Sequence, residues 1–188
     1  ISSSVTLIGD YAFHGCSSLK QIEIPSSVSF IGDFCFQECI SLEQVSIPPT
    51  ITSIGESTFS NCSMLSKISD LSSIQTIGNN SFHRCSSLTT ISIPSATSIG
   101  DGAFRGCTSL IEIYIPSSVT SFGENIFDNI VYLNITGNIN LIPDKLFKNC
   151  TTLTKIIIPS SVTEIGVLAF SGCSFIVEIQ IPLSVTKI

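Results

Sequence analysis

The chain has 188 residues, a formal net charge of −6 at pH 7 and 43% hydrophobic residues. It contains no basic run, so a nucleic-acid partner is not expected. No apolar stretch reaches the roughly 18 residues that a membrane-spanning helix needs, so no direct membrane span is expected in this segment.

A single motif recurs along the whole chain at a period of about 23 residues. It reads Ile-Gly-x-x-x-Phe-x-x-Cys-x-x-Leu-x-x-Ile-x-Ile-Pro, and such a fixed period indicates one supersecondary unit stacked on copies of itself. Eight coils fit, and we number them 1 to 8 by their phenylalanines: Phe13, Phe36, Phe59, Phe82, Phe104, Phe127, Phe147 and Phe170. The glycine position is filled by Gly9, Gly32, Gly55, Gly78, Gly100, Gly123 and Gly166, and by Pro143 in coil 7.

The stretch from Leu19 to Cys39 shows the elements predicted for each coil. Ile22 and Ile24 share one face of a short strand, which ends at the next proline because proline cannot donate to a ladder. After a serine turn, a return segment brings two more apolar residues to the interior. Asp33 then stands where it could cap a short helical corner, whose apolar residues are spaced for one turn of helix.

Coil 3 departs from the pattern at Asp70, which occupies an inward strand position held by isoleucine in other coils. A buried carboxylate without a partner is costly. We therefore expect a local bulge that turns Asp70 outward and brings Leu71 into the core.

The repeat also loses residues in its second half. One residue is missing between Pro94 and Gly100, and three are missing near Ile130. The stretch from Pro94 to Pro143 is therefore expected to be irregular. Function is expected in this stretch and in the variable positions of the motif, because the recurring residues form the core and the corners.

The motif resembles the BspA-type leucine-rich repeat family, whose signature Ile-Pro-Ser-Ser-Val-Thr-x-Ile-Gly-x-x-Ala-Phe-x-Gly-Cys-x-x-Leu is best matched from Pro116 to Gly123 and from Pro159 to Cys173. The resemblance implies a leucine-rich-repeat solenoid of about eight 23-residue coils, with short parallel β-strands and short helical or 3-10 corners. It also implies surface proteins of mucosal bacteria and parasitic protists that adhere to host extracellular-matrix proteins and to other cells. The family has no catalytic motif to carry over.

Both ends of the chain fall inside a repeat, without the atypical capping coils that solenoids normally carry. We therefore expect residues 1–188 to be a single solenoid segment excised from a longer chain. A signal sequence or anchor would lie outside such a segment, so the sequence leaves a cell-surface or secreted protein and a cytoplasmic one both open.

The cysteine column does not have metal-site or redox spacing. Seven of the eight cysteines share one position in the motif, and no pair has the Cys-x-x-Cys arrangement. Stacked neighbours in a parallel column meet the geometry of a disulfide poorly. We expect small buried thiols packed beneath the phenylalanines, and no metal site.

The titratable residues do not suggest catalysis. His14 and His83 share a motif position but lie three coils apart, roughly 14 Å at the usual strand spacing, and are expected to be exposed. The carboxylates are scattered over different columns, and no nucleophile elbow is present. We expect no catalytic residues, no cofactor and no enzymatic activity.

The positions that flank the inward strand residues are the candidate binding surface, because leucine-rich repeats usually bind partners on their concave strand face. In the first four coils these positions are polar: Lys20, Gln21, Glu23, Glu43, Gln44, Ser66, Lys67, Thr89 and Thr90. In the later coils they include aliphatic and aromatic residues. We take seven as candidate protein-binding residues: Ile111, Glu112, Tyr114, Val131, Tyr132, Lys155 and Ile157.

Exposed aliphatic side chains around tyrosines, with charges at the edge, are typical of an interface hot spot. Two alternatives remain open at this stage. The short coil 6 could turn these side chains into the core, or they could be scattered surface residues without a common role. The leading hypothesis is a non-catalytic cell-surface solenoid that binds a host extracellular-matrix or cell-surface protein. The alternative is an intracellular protein-interaction scaffold.

Overall fold

The computed structural model describes all 188 residues as a parallel β-solenoid of eight coils, each with two strands. One strand of each coil lies on what we call the strand face: β2 (Gln21–Ile22), β4 (Gln44–Ser46), β6 (Lys67–Ser69), β8 (Thr90–Ser92), β10 (Glu112–Tyr114), β12 (Tyr132–Thr136), β14 (Lys155–Ile157) and β16 (Glu178–Gln180). The other lies on the return face: β1 (Leu7–Ile8), β3 (Phe30–Ile31), β5 (Ser53–Ile54), β7 (Thr76–Ile77), β9 (Ser98–Ile99), β11 (Ser121–Phe122), β13 (Leu141–Ile142) and β15 (Glu164–Ile165). The predicted leucine-rich-repeat solenoid is confirmed.

The ladders on both faces are interrupted. The strand face consists of the sheets β2-β4-β6 and β8-β10-β12-β14-β16, and the return face of β1-β3, β5-β7-β9-β11 and β13-β15. Each interruption falls between two neighbouring coils, so the coils of the solenoid are not joined uniformly along its axis.

The core is a single cluster of 48 buried hydrophobic residues that runs the length of the solenoid. At its centre the repeat phenylalanines form a continuous stack, with ring centroids 5.3 to 5.9 Å apart and planes within 18° of parallel. No coil could bury its own ring on both faces, so burial of this column depends on stacking.

The corners were predicted to be short helices, but in the structure they are successive turns. Coil 2 shows the reason: Phe34 and Glu38 have φ of 57° and 63°, and the intervening Phe36 N–H donates to the Thr58 carbonyl of coil 3 at 2.9 Å. Alternate N–H groups thus pair with the next coil, while Gln37 and its equivalents close tight turns within their own coil. A helix would use these N–H donors within its own coil, and no backbone hydrogen bond would then join neighbouring coils at the corner. The only helix is a three-residue 3-10 helix, Leu71–Ser73.

The structure confirms the bulge in coil 3. Asp70 adopts a left-handed conformation with φ of 65° and is exposed, while Leu71 is buried. The Asp70 carboxylate accepts a hydrogen bond from the Ser46 hydroxyl at 2.7 Å. The bulge coincides with the interruption of the strand face between β6 and β8.

No helix of the structure combines the length and the apolar character that a bilayer crossing requires.

Candidate functional site

The seven candidate residues all lie on the outer side of one continuous sheet, β8-β10-β12-β14-β16, or at its edge; we call them the strand-face patch. Alternation sets the direction of the five that lie within strands, while Ile111 and Val131 stand just before β10 and β12. In β10, Ile113 is fully buried, while Glu112 is exposed and Tyr114 is half-buried. In β14, Ile156 is buried between exposed neighbours on both sides. In coil 6 itself, Val131 is exposed and Tyr132 is half-buried, so the short coil does not draw the patch into the core.

The aliphatic part of the patch is held by backbone hydrogen bonds. Ile111 is 50% exposed, and its N–H donates to the Thr89 carbonyl while its carbonyl accepts from the Asn134 N–H at 2.8 Å. Val131 is 47% exposed, and its carbonyl accepts from the Thr154 N–H at 2.8 Å. These side chains project from a fixed backbone, so burying them against a partner would cost little conformational entropy of the main chain.

The missing residues in coil 6 shift the strand register. The motif aligns Leu133 with Ile113, but Ile113 pairs with Ile135 instead. On the other side, β12 keeps the motif register, and Leu133 pairs with Ile156. β12 is accordingly the longest strand, with 5 residues. The deletion thus displaces one half of the strand face by two residues relative to the other.

This shift separates the two tyrosines of the patch. Tyr114 lies beside Thr136, whereas Tyr132 lies beside Lys155 at the opposite end of the strands. Four residues of strand correspond to about 13 Å. The structure places both tyrosines on one face but not in one cluster. The intervening row is Glu112, Asn134 and Ile157. An elongated contact surface fits this arrangement better than a single pocket.

Tyr114 lines a groove that the sequence did not reveal. The groove has a volume of about 550 Å³ and lies where the bulge in coil 3 meets β8 and β10. Its other polar lining residues include Asp70, Ser92 and Thr136. The sequence indicated the bulge and the tyrosine separately. Only the register of β8, β10 and β12 places them side by side, so no signal within one coil could have joined them.

The charges on the patch are mixed and solvated. Lys155 Nζ lies 3.9 Å from Glu178 Oε2 of the next coil, and both side chains are about half exposed. An ion pair of this exposure and length contributes little to stability. It leaves both groups free to exchange partners when a ligand arrives.

The first half of the strand face is chemically different. Gln21, Gln44 and Lys67 stand in one row of neighbouring coils and line a groove of about 580 Å³ together with Glu23 and Ser46. All five side chains are exposed. The strand face therefore has a polar half in coils 1 to 3 and a partly apolar half in coils 5 to 7, separated by the Asp70 bulge.

The cysteine column is buried in its inner coils, as predicted, whereas Cys16 is exposed and Cys173 half-buried at the two ends. Cys62, Cys85 and Cys107 are buried and free, and each Sγ–H donates to the phenylalanine carbonyl of the preceding coil at 3.1 Å. Burial raises the pKa of the Cys107 thiol to about 12, so the thiolate needed for nucleophilic attack or metal binding is disfavoured. No group of three or more potential ligand side chains is arranged to hold a metal ion.

One histidine differs from the prediction. His14 is exposed, but His83 is half-buried, with Nδ1 3.4 Å from Asn80 Oδ1. Desolvation, followed by the neighbouring Arg84 and Arg105, lowers the pKa of His83 below its ordinary value. A half-buried histidine beside an amide is accounted for by packing at the corner.

A family model and one solved structure with a similar fold agree with this architecture. A family model described as BspA type Leucine rich repeat region matches the chain in 6 copies, over residues 1–97 and 75–188. The crystal structure of a leucine-rich repeat protein from T. pallidum is 25% identical with a TM-score of 0.58, covering 92% of this chain and 72% of that one. The crystal structure of a leucine-rich repeat protein from Bacteroides ovatus ATCC 8483 is 24% identical with a TM-score of 0.47, covering 97% and 78%. A search of curated proteins found no match.

Proposed function

The chain belongs to the BspA-type leucine-rich repeat family, and on that premise we propose that it is a non-catalytic adhesion solenoid that binds a protein partner through the strand-face patch. The observation that carries the proposal is the chemical asymmetry of the strand face. Exposed aliphatic side chains and half-buried tyrosines occur on coils 5 to 7, whereas the same positions on coils 1 to 3 are polar.

The physical basis is a rigid surface that buries apolar area on contact. Ile111, Val131 and Ile157 are 50%, 47% and 41% exposed. Apolar area removed from water stabilises a complex by about 25 cal/mol per Å² before the costs of association. Tyrosines at both ends of the patch add large contact area with few rotatable bonds, which is why they are enriched at binding hot spots.

We place the protein at a cell surface or among secreted proteins, with a host extracellular-matrix or cell-surface protein as the partner. The basis is the family membership, and a scaffold role inside the cell would use the same face. Detecting the native protein on intact cells with an antibody, before and after permeabilisation, distinguishes the two. Labelling that requires permeabilisation would contradict the surface assignment.

Binding is tested with a panel of purified extracellular-matrix proteins immobilised for surface plasmon resonance. The Tyr114→Ala/Tyr132→Ala variant is expected to weaken binding at least tenfold, because each truncation removes aromatic contact area at one end of the patch. A matched control, Gln21→Ala/Gln44→Ala, changes two residues on the polar half of the same face and is expected to bind like the unmodified protein.

Circular dichroism and thermal unfolding establish that both double variants keep the fold. Unchanged binding by the tyrosine variant would move the site off this patch. Loss of binding only in the glutamine variant would assign the contact to coils 1 to 3 instead. Failure of every matrix protein to bind would contradict an extracellular-matrix partner, and the same assay would then be run with host cell-surface proteins.

A further inference from the structure

The junction between coils 6 and 7 is open on the return face. No backbone hydrogen bond joins β11 to β13, and these strands belong to different sheets. The corner bonds are missing as well: Phe104 N–H donates to the Ile126 carbonyl of the next coil, but Phe127 N–H has no such partner. The coils remain joined by β12 and β14 on the strand face and by the Phe127–Phe147 stack at 5.3 Å.

Two residue types explain why this junction is open. At five of the seven junctions the glycine N–H donates across the return face, as Gly123 N–H does to the Ile99 carbonyl at 2.7 Å. Between coils 2 and 3 the Gly55 N–H makes no such bond, but the Asp33 carboxylate still accepts the Glu56 N–H. Coil 7 has Pro143 at this position, and proline has no N–H to donate to the corresponding carbonyl of Phe122.

The second connection is a side-chain acceptor. Asp101 Oδ1 accepts the Glu124 N–H at 2.7 Å, and Asp144 Oδ1 accepts the Val167 N–H at 2.7 Å. Coil 6 has the longer Glu124 at the acceptor position, and Asp144 N–H donates to no such acceptor. Glu56 interrupts the acceptor row in the same way, but at that junction the Gly78 N–H still donates to the Ile54 carbonyl. Both connections are absent only between coils 6 and 7.

The result is a cleft of about 650 Å³ between the two return segments. Val119 and Phe122 lie on one lip, and Ile139, Leu141 and Pro143 on the other. One hydrogen bond spans the two segments, from Ser117 N–H to Asn138 Oδ1 at 2.8 Å. Leu141 is 38% exposed, so apolar surface is accessible inside the cleft.

We propose that this cleft binds an extended polypeptide segment carrying a basic side chain. Unpaired strand edges are templates for a further strand, and main-chain hydrogen bonds provide affinity when one is added. Both lips present strand backbone that its neighbouring coil leaves unpaired. Asp144 is the one charged residue lining the cleft, and Glu124 lies exposed in the facing coil, so a lysine or arginine on the segment would be attracted.

This site is separate from the strand-face patch. β12 and β14 close the strand face at the same junction, so the cleft does not open on the side that carries the patch. A ligand in the cleft and a ligand on the patch could therefore be bound together, and variants of one site serve as controls for the other.

The test begins with a random heptapeptide library selected against the intact protein. Selected peptides are expected to contain at least one basic residue and to bind at least tenfold more weakly to the Pro143→Gly/Glu124→Asp variant, which restores both missing connections. Asp144→Asn keeps the acceptor oxygen and removes the charge, as Asn79 does in coil 4, and is expected to reduce affinity about threefold to tenfold. Tyr114→Ala/Tyr132→Ala is expected to leave binding unchanged.

Backbone pairing is tested with peptides N-methylated at alternate residues, since methylation removes the N–H donors while side chains remain. A tenfold loss for one of the two alternate patterns supports strand addition. Equal binding of all methylated peptides, selection of peptides without basic residues, or absence of any selected peptide would overturn the proposal. If hydrogen exchange shows that the first variant has not closed the cleft, Leu141→Arg provides the blocked form, and unaltered binding to it would also overturn the proposal.

Binding of an oligosaccharide library to the cleft with no peptide selected would indicate a glycan site instead. A dimer that dissociates in Leu141→Arg, again with no peptide selected, would indicate that a second copy of the chain fills the cleft.

Discussion

The carboxylate of Asp33 occupies the space where a Cβ atom on Gly55 of the next coil would stand. Its Oδ1 accepts the N–H of Glu56 at 2.7 Å, and this bond holds coil 3 against coil 2. The same contact recurs between Asp10 and Gly32. The glycine column and the acidic column of the motif are therefore one structural device: the acceptor can reach the neighbouring backbone only because the residue facing it has no side chain.

Gly55→Ala is expected to lower the free energy of unfolding by about 2 kcal/mol, since the added methyl group must displace Asp33 or spread the coils. The matched control is Gly9→Ala, where an added Cβ would meet no atom within 4 Å. There the change is expected to stay within about 0.5 kcal/mol, because alanine also restricts the unfolded chain. Urea unfolding of both variants measures these changes. Equal losses of stability in Gly55→Ala and Gly9→Ala would show that the Asp33 contact does not require a glycine at position 55.

Ser81→Ala is expected to stabilise the protein by about 1 kcal/mol. Ser81 is fully buried, and its hydroxyl has no hydrogen-bond partner, so the unfolded state solvates this group better than the native state does. Alanine already occupies the same position in coil 5, at Ala103. The control is Ser118→Ala, which removes a 2.6 Å bond from the Ser118 hydroxyl to the Ala96 carbonyl and is expected to destabilise. Thermal unfolding that places both variants on the same side of the unmodified protein would contradict this argument.

Phe104→Ala is expected to cost about 3 to 5 kcal/mol, because it leaves a cavity between Phe82 and Phe127 in the middle of the stack. Phe170→Ala removes a partly buried ring at the last coil, which stacks on Phe147 alone, and is expected to cost less. Chemical denaturation measures both. A similar cost at the two positions would mean that stacking with neighbouring coils adds little to each ring's burial.

The sequence predicted most of the frame, because the frame repeats. The buried columns, the parallel strands and the outward turn of Asp70 followed from apolar spacing and from the cost of burying a carboxylate. The prediction of helical corners was wrong because the spacing of Cys35, Phe36 and Cys39 fits one turn of helix as well as it fits the observed turns. Only the pairing of alternate N–H groups with the next coil distinguishes them, and that pairing is a property of the stack.

The candidate surfaces could be predicted only in part, since they depend on how one coil meets the next. The outward direction of Glu112 and Ile157 follows from alternation within a strand. The separation of Tyr114 from Tyr132 depends on the register shift of β12. The sequence shows that three residues are missing, but not that the loss is accommodated by this strand rather than by a turn. The open junction was visible in the sequence as Pro143 and Glu124, but its meaning required knowing which bonds glycine and aspartate make at the other junctions.

The buried thiols predict a fall in stability at alkaline pH. Burial raises the pKa of Cys39 to about 11 and that of Cys107 to about 12, against an ordinary value of 9.0. Between pH 9 and these values the unfolded chain releases its thiol protons while the folded chain keeps them. The stabilisation is therefore fully present below pH 9 and is lost as pH rises toward 11 to 12.

Each such thiol is expected to contribute a slope of about −1.4 kcal/mol per pH unit in that window. Tyrosine and lysine also titrate there, so the informative comparison is Cys107→Ala, whose unfolding free energy should fall less steeply by one thiol's share. A lower stability of the variant at all pH values would reflect the lost Sγ–H···O bond to the Phe82 carbonyl and does not alter the slope. Urea unfolding between pH 8 and pH 10.5 measures the slope, and parallel curves would show that the Cys107 thiol is not protected from ionisation in the folded protein.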